Sequence, residues 1–462
     1  MSDTVKLISP VDGSIYAERS TASDAEIQSA IKRANAAQAE WVNVPIAERG
    51  RYCKAMLEAM VAMSDEVVPE LAWQMGRPVR FGGEFGPFAD RVNYMTGIAE
   101  EALSPLMVED SGSFRRYVKR DPLGIVFVIA PWNYPYITAV NTIVPALMAG
   151  SAVILKHAAQ TLLVGERFQM AFDKAGLPAG LFQNIVLSHA QTEALLGSGA
   201  IDHCNFTGSV AGGKVIEKAA AGTFTSLGLE LGGKDPAYVR ADAKLDHAIE
   251  NLVDGAYYNS GQCCCGIERV YVDEKVYDDF VEGFANLARG YVLGSPLEEA
   301  TTLGPMAQTR GADFVRQQIA EAVRDGATAH VDTSKFEMDK PGSAYIAPQV
   351  LTGVNHQMSV MREESFGPVV GIMKVKDEAE AIHLMNDSPY GLTASVWTTD
   401  VEAAARIGGK IETGTVYMNR CDYLDPALVW TGVKDTGRGA ALSRIGYEVL
   451  TRPKSFHLRI AI

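Results

Sequence analysis

The sequence predicts an α/β protein of two doubly wound domains carrying a small β arm. Short β-branched runs alternate with helix-like segments from about residue 123, and the same alternation restarts after residue 264. These runs are apolar throughout rather than at every second residue. Such strands are buried on both faces, as in parallel sheets covered by helices, and right-handed crossovers make the sheets doubly wound. With 462 residues, 47% hydrophobic and 21% charged, the chain can fill two or three domains.

Taken in order, residues 125–129 read as a buried strand, followed by a turn at 131–135 that holds Pro131 and Pro135. A helix is expected over 138–148, a strand over 152–155 and a helix over 161–175. Strands follow at 184–187, 203–206 and 226–231, and after Cys264 come a strand at 269–272, a helix at 275–288 and a strand at 369–372. The domains meet near 230–235, where Gly232-Gly233 suits a chain crossing between them. The expected bounds are 1–110 with 123–231 for the first domain, 232–435 for the second, and 111–122 with 436–462 for the arm. Residues 114–120 and 455–460 alternate like edge strands with one wet face. Exposed edges invite pairing with another subunit, so a homodimer or homotetramer is expected.

A net charge of −14 argues against nucleic acid or an anionic membrane as partner. Residues 1–6 show no basic stretch leading into an apolar core. The longest apolar tract, 123–155, is cut by Pro131, Pro135 and Pro145 and cannot span a bilayer as one helix. Six cysteines in so long a chain make no disulfide framework and fit a reducing cytoplasm.

Three of those cysteines are adjacent in Asn259-Ser260-Gly261-Gln262-Cys263-Cys264-Cys265. Neighbouring side chains diverge, so no metal site is expected. The segment reads as a loop meeting a helix, where free N–H groups and the dipole would favour a thiolate. On composition alone a buried thiol is the commoner reading; the surroundings decide otherwise.

Asn259-x-Gly261-Gln262-x-Cys264 resembles the cysteine signature of the aldehyde dehydrogenase superfamily, and Glu230-Leu231-Gly232-Gly233-Lys234 resembles its glutamate signature. Trp132-Asn133, Phe206-Thr207-Gly208-Ser209 and Glu364-Ser365-Phe366-Gly367-Pro368 are similar to three further motifs, all in the family's order. The resemblance implies a Rossmann-like cofactor domain, a catalytic domain and an oligomerisation arm. It also implies oxidation of an aldehyde to an acid by NAD or NADP. The chemistry asks for the same residue types. A cysteine nucleophile makes the carbonyl carbon tetrahedral and leaves a hydrolysable thioester, here Cys264. The oxyanion needs fixed donors, here the Asn133 amide and the Cys264 N–H. Water needs a base, here Glu230. A glutamate there could instead pair with Lys234, which otherwise reads as structural.

No Gly-x-Gly-x-x-Gly follows a strand; residues 208–213 have the glycines but a different spacing. Their free N–H groups at a helix start could still bind pyrophosphate. The resemblance places Gly208 and Ser209 beside the dinucleotide, Trp132 on its adenosine side and Lys156 on the adenine ribose. It places Glu364 on the nicotinamide ribose and Phe366 near the ring. Four positions depart from the family pattern. Asp235 stands where Asn or Ser is usual. Ala159 replaces a glutamate that would repel a 2′-phosphate, so NADP becomes possible, with His157 read either as a phosphate partner or as a partly buried neutral histidine. Asn141-Thr142 replace an aromatic–lysine pair. Trp430, Tyr423 and Cys421 fall where the family builds its substrate mouth, and Arg420 would suit a substrate bearing a carboxylate. Alternatives are a coenzyme-A-acylating semialdehyde dehydrogenase, which needs no such base, and a catalytically silent homologue.

Overall fold

The computed structural model describes residues 3–462; the N-terminal reading of 1–6 falls in part outside them. Two parallel sheets form the body. The first runs in the order Gly437–Arg438, Ser226–Glu230, His203–Thr207, Ile125–Ala130, Ala152–His157, Phe182–Asn184, parallel except for its first strand. All six residues of Ile125–Ala130 are buried, as expected of a central strand covered on both faces. The crossover helix Pro135–Ala149 has proline at its first turn and ends at Gly150 with φ 103°, a left-handed cap glycine adopts freely. Strand order reverses between Ile125–Ala130 and His203–Thr207. At such a switch point, loops leaving the carboxyl ends splay apart and open a crevice.

The second sheet runs Thr328–Ala329, Gln349–Thr352, Val369–Val375, Ile267–Asp273, Asp235–Val239, Thr393–Trp397, Thr415–Met418. Only its first pairing is antiparallel. The chain passes from one sheet to the other over residues 231–234, between Ser226–Glu230 and Asp235–Val239. The N-terminal helices Asp24–Trp41, Ile46–Val61, Ser64–Met75 and Phe85–Ala102 share one apolar core with the first sheet. Thus the fold is the expected pair of α/β domains.

Four details differ from the sequence reading. The two alternating segments are not two free edges: Phe114–Pro122 pairs with Thr451–Arg459 over nine residues and with Leu106–Asp110 on its other side. The arm therefore takes in residues 106–110. Residues 437–450 do not join it, because Gly437–Arg438 borders the first sheet and the Tyr447 hydroxyl donates to the Met95 carbonyl at 2.6 Å. The strand expected at 184–187 is Phe182–Asn184, since Val186 turns to accept from the Ala22 N–H.

Candidate active site

Residues 131–134, 207–209 and 230–233 all leave the carboxyl ends of neighbouring parallel strands, and Lys156 lies near the end of the next. The sheet alone thus gathers residues scattered over a hundred positions. Opposite them stands the loop before Ile267–Asp273. Asn259 and Ser260 are left-handed (φ 53° and 58°), followed by Gly261 (φ 71°), where a Cβ would lie 2.4 Å from the Gly367 carbonyl oxygen. Gly261 is required there by both conformation and space. Asn259 donates from Nδ2 to the Asn133 and Gln262 carbonyls, and the Gln262 side chain donates to the Asn259 carbonyl and accepts from the Ala307 N–H. Every polar residue of this signature is spent on shaping the loop.

Cys264 sits half-buried in a tight turn, not at a helix N-terminus; the helix Leu245–Tyr257 ends before it and a strand follows. The dipole is therefore not what tunes it. The turn brings the three sulfurs within 4.8 Å of one another, overturning the expectation that they diverge. Cys263 and Cys265 both donate to Asp422 Oδ1, at 3.1 and 3.0 Å. The adjoining Cys263 and Cys265 thiol groups lower the Cys264 thiol to about 6 against the opposing effect of burial, while Cys263 is pushed up to about 12. One reactive thiolate among three is the result.

Glu230 faces the same cavity, of about 510 Å³, as Cys264. Burial raises its carboxyl to about 7, opposed by hydrogen bonds from Thr207 and Asn205, which suits a base working near neutrality. Lys234 does not pair with it: the ammonium is buried against Glu268. The two signatures touch at Gly233, where a Cβ would lie 2.0 Å from the Cys264 carbonyl oxygen. Asn133, 5% exposed, donates from Nδ2 to the Gln262 carbonyl at 3.2 Å, two residues from the thiol.

Residues invisible to sequence reasoning hold this arrangement. Arg77, 2% exposed, pairs with Glu84 and donates to the Asn133 carbonyl at 2.7 Å. Glu84 in turn accepts from the Tyr136 and Ile137 N–H groups, capping the helix that follows Asn133. Glu268 accepts from the Ser365 and Phe366 N–H groups, fixing the loop that carries Glu364. Nothing local in sequence marks these contacts, which apart from the Arg77–Glu84 pair span fifty residues or more.

Among the expected cofactor residues, Trp132 and Phe366 meet edge to face at 5.5 Å. Glu364 accepts from the Gly233 N–H at 2.8 Å and is raised to about 8, chiefly by burial. Lys156 forms no ion pair among the described residues, and burial lowers its ammonium. The Gly208 N–H is not free: it donates to the Glu230 carbonyl at 3.0 Å. Ser209 caps Val210–Ala220, accepting from Gly212. Gly208 and Gly212 instead admit the Phe206 ring, which a Cβ would approach to 2.7 Å. His157 is 5% exposed and lowered to about 4 by burial, a neutral packed histidine rather than a phosphate partner. Asp235 is buried, accepting from Thr393. Trp430 and Tyr423 line the cavity as expected. Cys421 points instead to the Asn251 carbonyl, and Arg420 lies over the Tyr423 ring at 3.5 Å.

The aldehyde dehydrogenase family profile matches residues 1–456. The chain belongs to the aldehyde dehydrogenase family. An aldehyde dehydrogenase of Paenarthrobacter nicotinovorans is 34% identical over 434 residues, 93% of this chain and 94% of that one. The succinate-semialdehyde dehydrogenase [NADP(+)] of Mycobacterium avium (strain 104) is 31% identical over 455 residues, 98% and 96% of the two chains. A succinic semialdehyde dehydrogenase from Streptococcus pyogenes, solved with NADP+ as the cofactor, superposes with a TM-score of 0.93 at 26% identity, covering 98% and 100%. As a member of the aldehyde dehydrogenase family the protein is an oxidoreductase acting on aldehydes. Neither the coenzyme-A-acylating nor the silent alternative is favoured by these likenesses.

Proposed function

We propose that the protein oxidises an aldehyde to a carboxylic acid with NAD+ or NADP+, through a covalent intermediate on Cys264 released by hydrolysis. One observation carries this reading: a thiol lowered to about 6 and a carboxyl raised to about 7 open onto one cavity. The Cys264 thiolate adds to the carbonyl carbon. The developing oxyanion is met by the Cys264 N–H and by the Asn133 amide proton not spent on Gln262; losing one such donor costs about 3 kcal/mol. When bound, the dinucleotide supplies the hydride acceptor. Glu230 then takes a proton from water as it attacks the thioester, the carbon–sulfur bond breaks, and the thiolate is restored. A thiol acceptor such as coenzyme A would have no use for that base.

The residues present fit a dinucleotide. Lys156 is a half-buried cation without an ion-pair partner among the described residues, and the Ser209-capped helix opens at the switch point. Gly232 leaves room against the Glu364 carboxylate that a Cβ would fill at 2.5 Å. Trp132, Lys156, Gly208, Ser209, Glu364 and Phe366 would hold it, with Gly208 contributing through closeness rather than its N–H. Ala159 is exposed in the turn after Lys156 and offers no carboxylate to repel a 2′-phosphate. The arm, with Leu106, Met107 and Val108 more than half exposed, would pair with a second copy in a homodimer or homotetramer. Six free thiols suit a reducing cytoplasm, and among the described residues no helix is long and apolar enough to cross a membrane. An aldehyde panel with NAD+ and NADP+, followed by absorbance of the reduced dinucleotide, tests the reading. Absence of reduction with every aldehyde overturns it, and a stable monomer by mass overturns the assembly.

A further inference from the structure

Arg91 lies on the helix Phe85–Ala102, is 3% exposed, and lines the same cavity as Cys264 and Glu230. Its Nη1 donates to the Pro87 carbonyl at 2.8 Å, one turn back. Beyond that bond the guanidinium has no partner among the described residues. It forms no ion pair, and its Nε is buried without a hydrogen-bond acceptor. Arg77, on the same cavity, differs in being matched by Glu84. Taking an arginine out of water without an anion is costly. A fold that keeps one on the cavity of its reacting thiol leaves that cost to be offset by something that enters.

Two neighbours share the condition. The Tyr134 hydroxyl and the Asn141 side-chain oxygen are also buried, unpartnered and on this cavity. Among the described residues seven buried side-chain polar atoms lack partners, and three of them lie here. The acidic groups on the same walls do not neutralise Arg91. Glu84 is engaged by Arg77, Asp422 is raised by burial and accepts from two thiols, and Asp90 and Asp254 are exposed. The same cavity is also lined by Ile137, Leu392, Leu424 and Trp430, apolar surface that suits a short aliphatic spacer.

Resting on the proposed aldehyde oxidation, we infer that the substrate is an aldehyde with a carboxylate at its far end, and that Arg91, aided by Tyr134, is the residue that recognises it. The guanidinium fork matches a carboxylate in two parallel hydrogen bonds. Arg420, the sequence-level candidate for this role, is exposed and stacked on Tyr423.

The test compares succinic semialdehyde with butanal, its neutral counterpart of equal length, on the wild type, Arg91→Met and Arg91→Lys. The wild type should favour the semialdehyde by about 100-fold in kcat/KM, and Arg91→Met should lose that preference, mostly through KM, with butanal changed less than about 3-fold. Arg91→Lys, keeping the charge but not the fork, should fall between. Equal use of both aldehydes by the wild type, or an equal fall on both in Arg91→Met, overturns the assignment. If neither aldehyde is oxidised, the catalytic reading is left to the wider aldehyde panel, and calorimetry with succinate decides Arg91 by itself. Binding to the wild type but not to Arg91→Met supports it, and no binding to the wild type overturns it.

Discussion

Glu230→Gln should make the protein more stable at alkaline pH while disabling it. Burial lifts this carboxyl from 4.5 to about 7. Ionising it in the folded protein therefore costs about 3 kcal/mol more than in the unfolded chain, at 1.36 kcal/mol per pH unit. The sign follows from which state holds the proton. Below 4.5 both forms are protonated and the cost is absent; it grows as pH rises toward 7 and is complete above it. Glutamine keeps the shape and the bond from Thr207 but never ionises. At pH 8.5 the variant should gain about 3 kcal/mol, and at pH 5 less than about 1 kcal/mol. Unfolding entropy of about 2.1 cal/mol/K per residue gives 462 residues about 1 kcal/mol/K, so Tm should rise roughly 3 °C at pH 8.5. Scanning calorimetry at both pH values reads the difference. The same variant, mixed rapidly with substrate and dinucleotide, should keep its burst of reduced cofactor while steady turnover falls about 10²–10⁴-fold. A variant no more stable at pH 8.5 than the wild type, or one that loses the burst, would refute the placement of a buried, proton-holding base at this position.

Iodoacetamide at pH 7 should modify Cys264 before Cys263, since their thiols stand at about 6 and about 12, and peptide mass mapping reads the order. Cys264→Ala should abolish dinucleotide reduction with the fold intact by circular dichroism; residual turnover dependent on the protein sinks the mechanism. Lys234→Met strands Glu268 as a buried charge and should cost about 3–5 kcal/mol in denaturant unfolding. Its dinucleotide KM should rise as well, because Glu268 holds the Ser365–Phe366 backbone. Gly233→Ala, pressing a methyl against the Cys264 carbonyl, should cost about 1–3 kcal/mol and reduce kcat.

Much of this was legible because the chemistry imposes local patterns. Strands buried on both faces read as continuous apolar runs, and Cys264, Glu230 and Asn133 lie in short motifs whose other residues build the backbone around them. What escaped were contacts with no local signature. Arg77 looks like an ordinary loop residue and Arg91 like an ordinary polar position on a helix, and only the packed structure shows one matched by Glu84 and the other unmatched. The supposed helix start at Cys264 failed for a related reason: Asn259-Ser260-Gly261 resembles a cap in composition but adopts three left-handed residues in succession. The two alternating strands do form one arm, pairing with each other; its bounds were misjudged because alternation reveals a half-wet strand without naming its other neighbour, here Leu106–Asp110.

The missing Cβ at Gly233 also bears on protein engineering. The crossing from one sheet to the other is an obvious seam at which to exchange cofactor and substrate halves between relatives. Yet the glycine lies on one side of that cut and the cysteine carbonyl it must clear on the other. A chimera joined at 231–234 would inherit its base from one parent and its nucleophile loop from the second, and their separation would be set by a contact neither parent evolved. Junctions that carry residues 230–233 together with the 259–265 loop should recombine more freely.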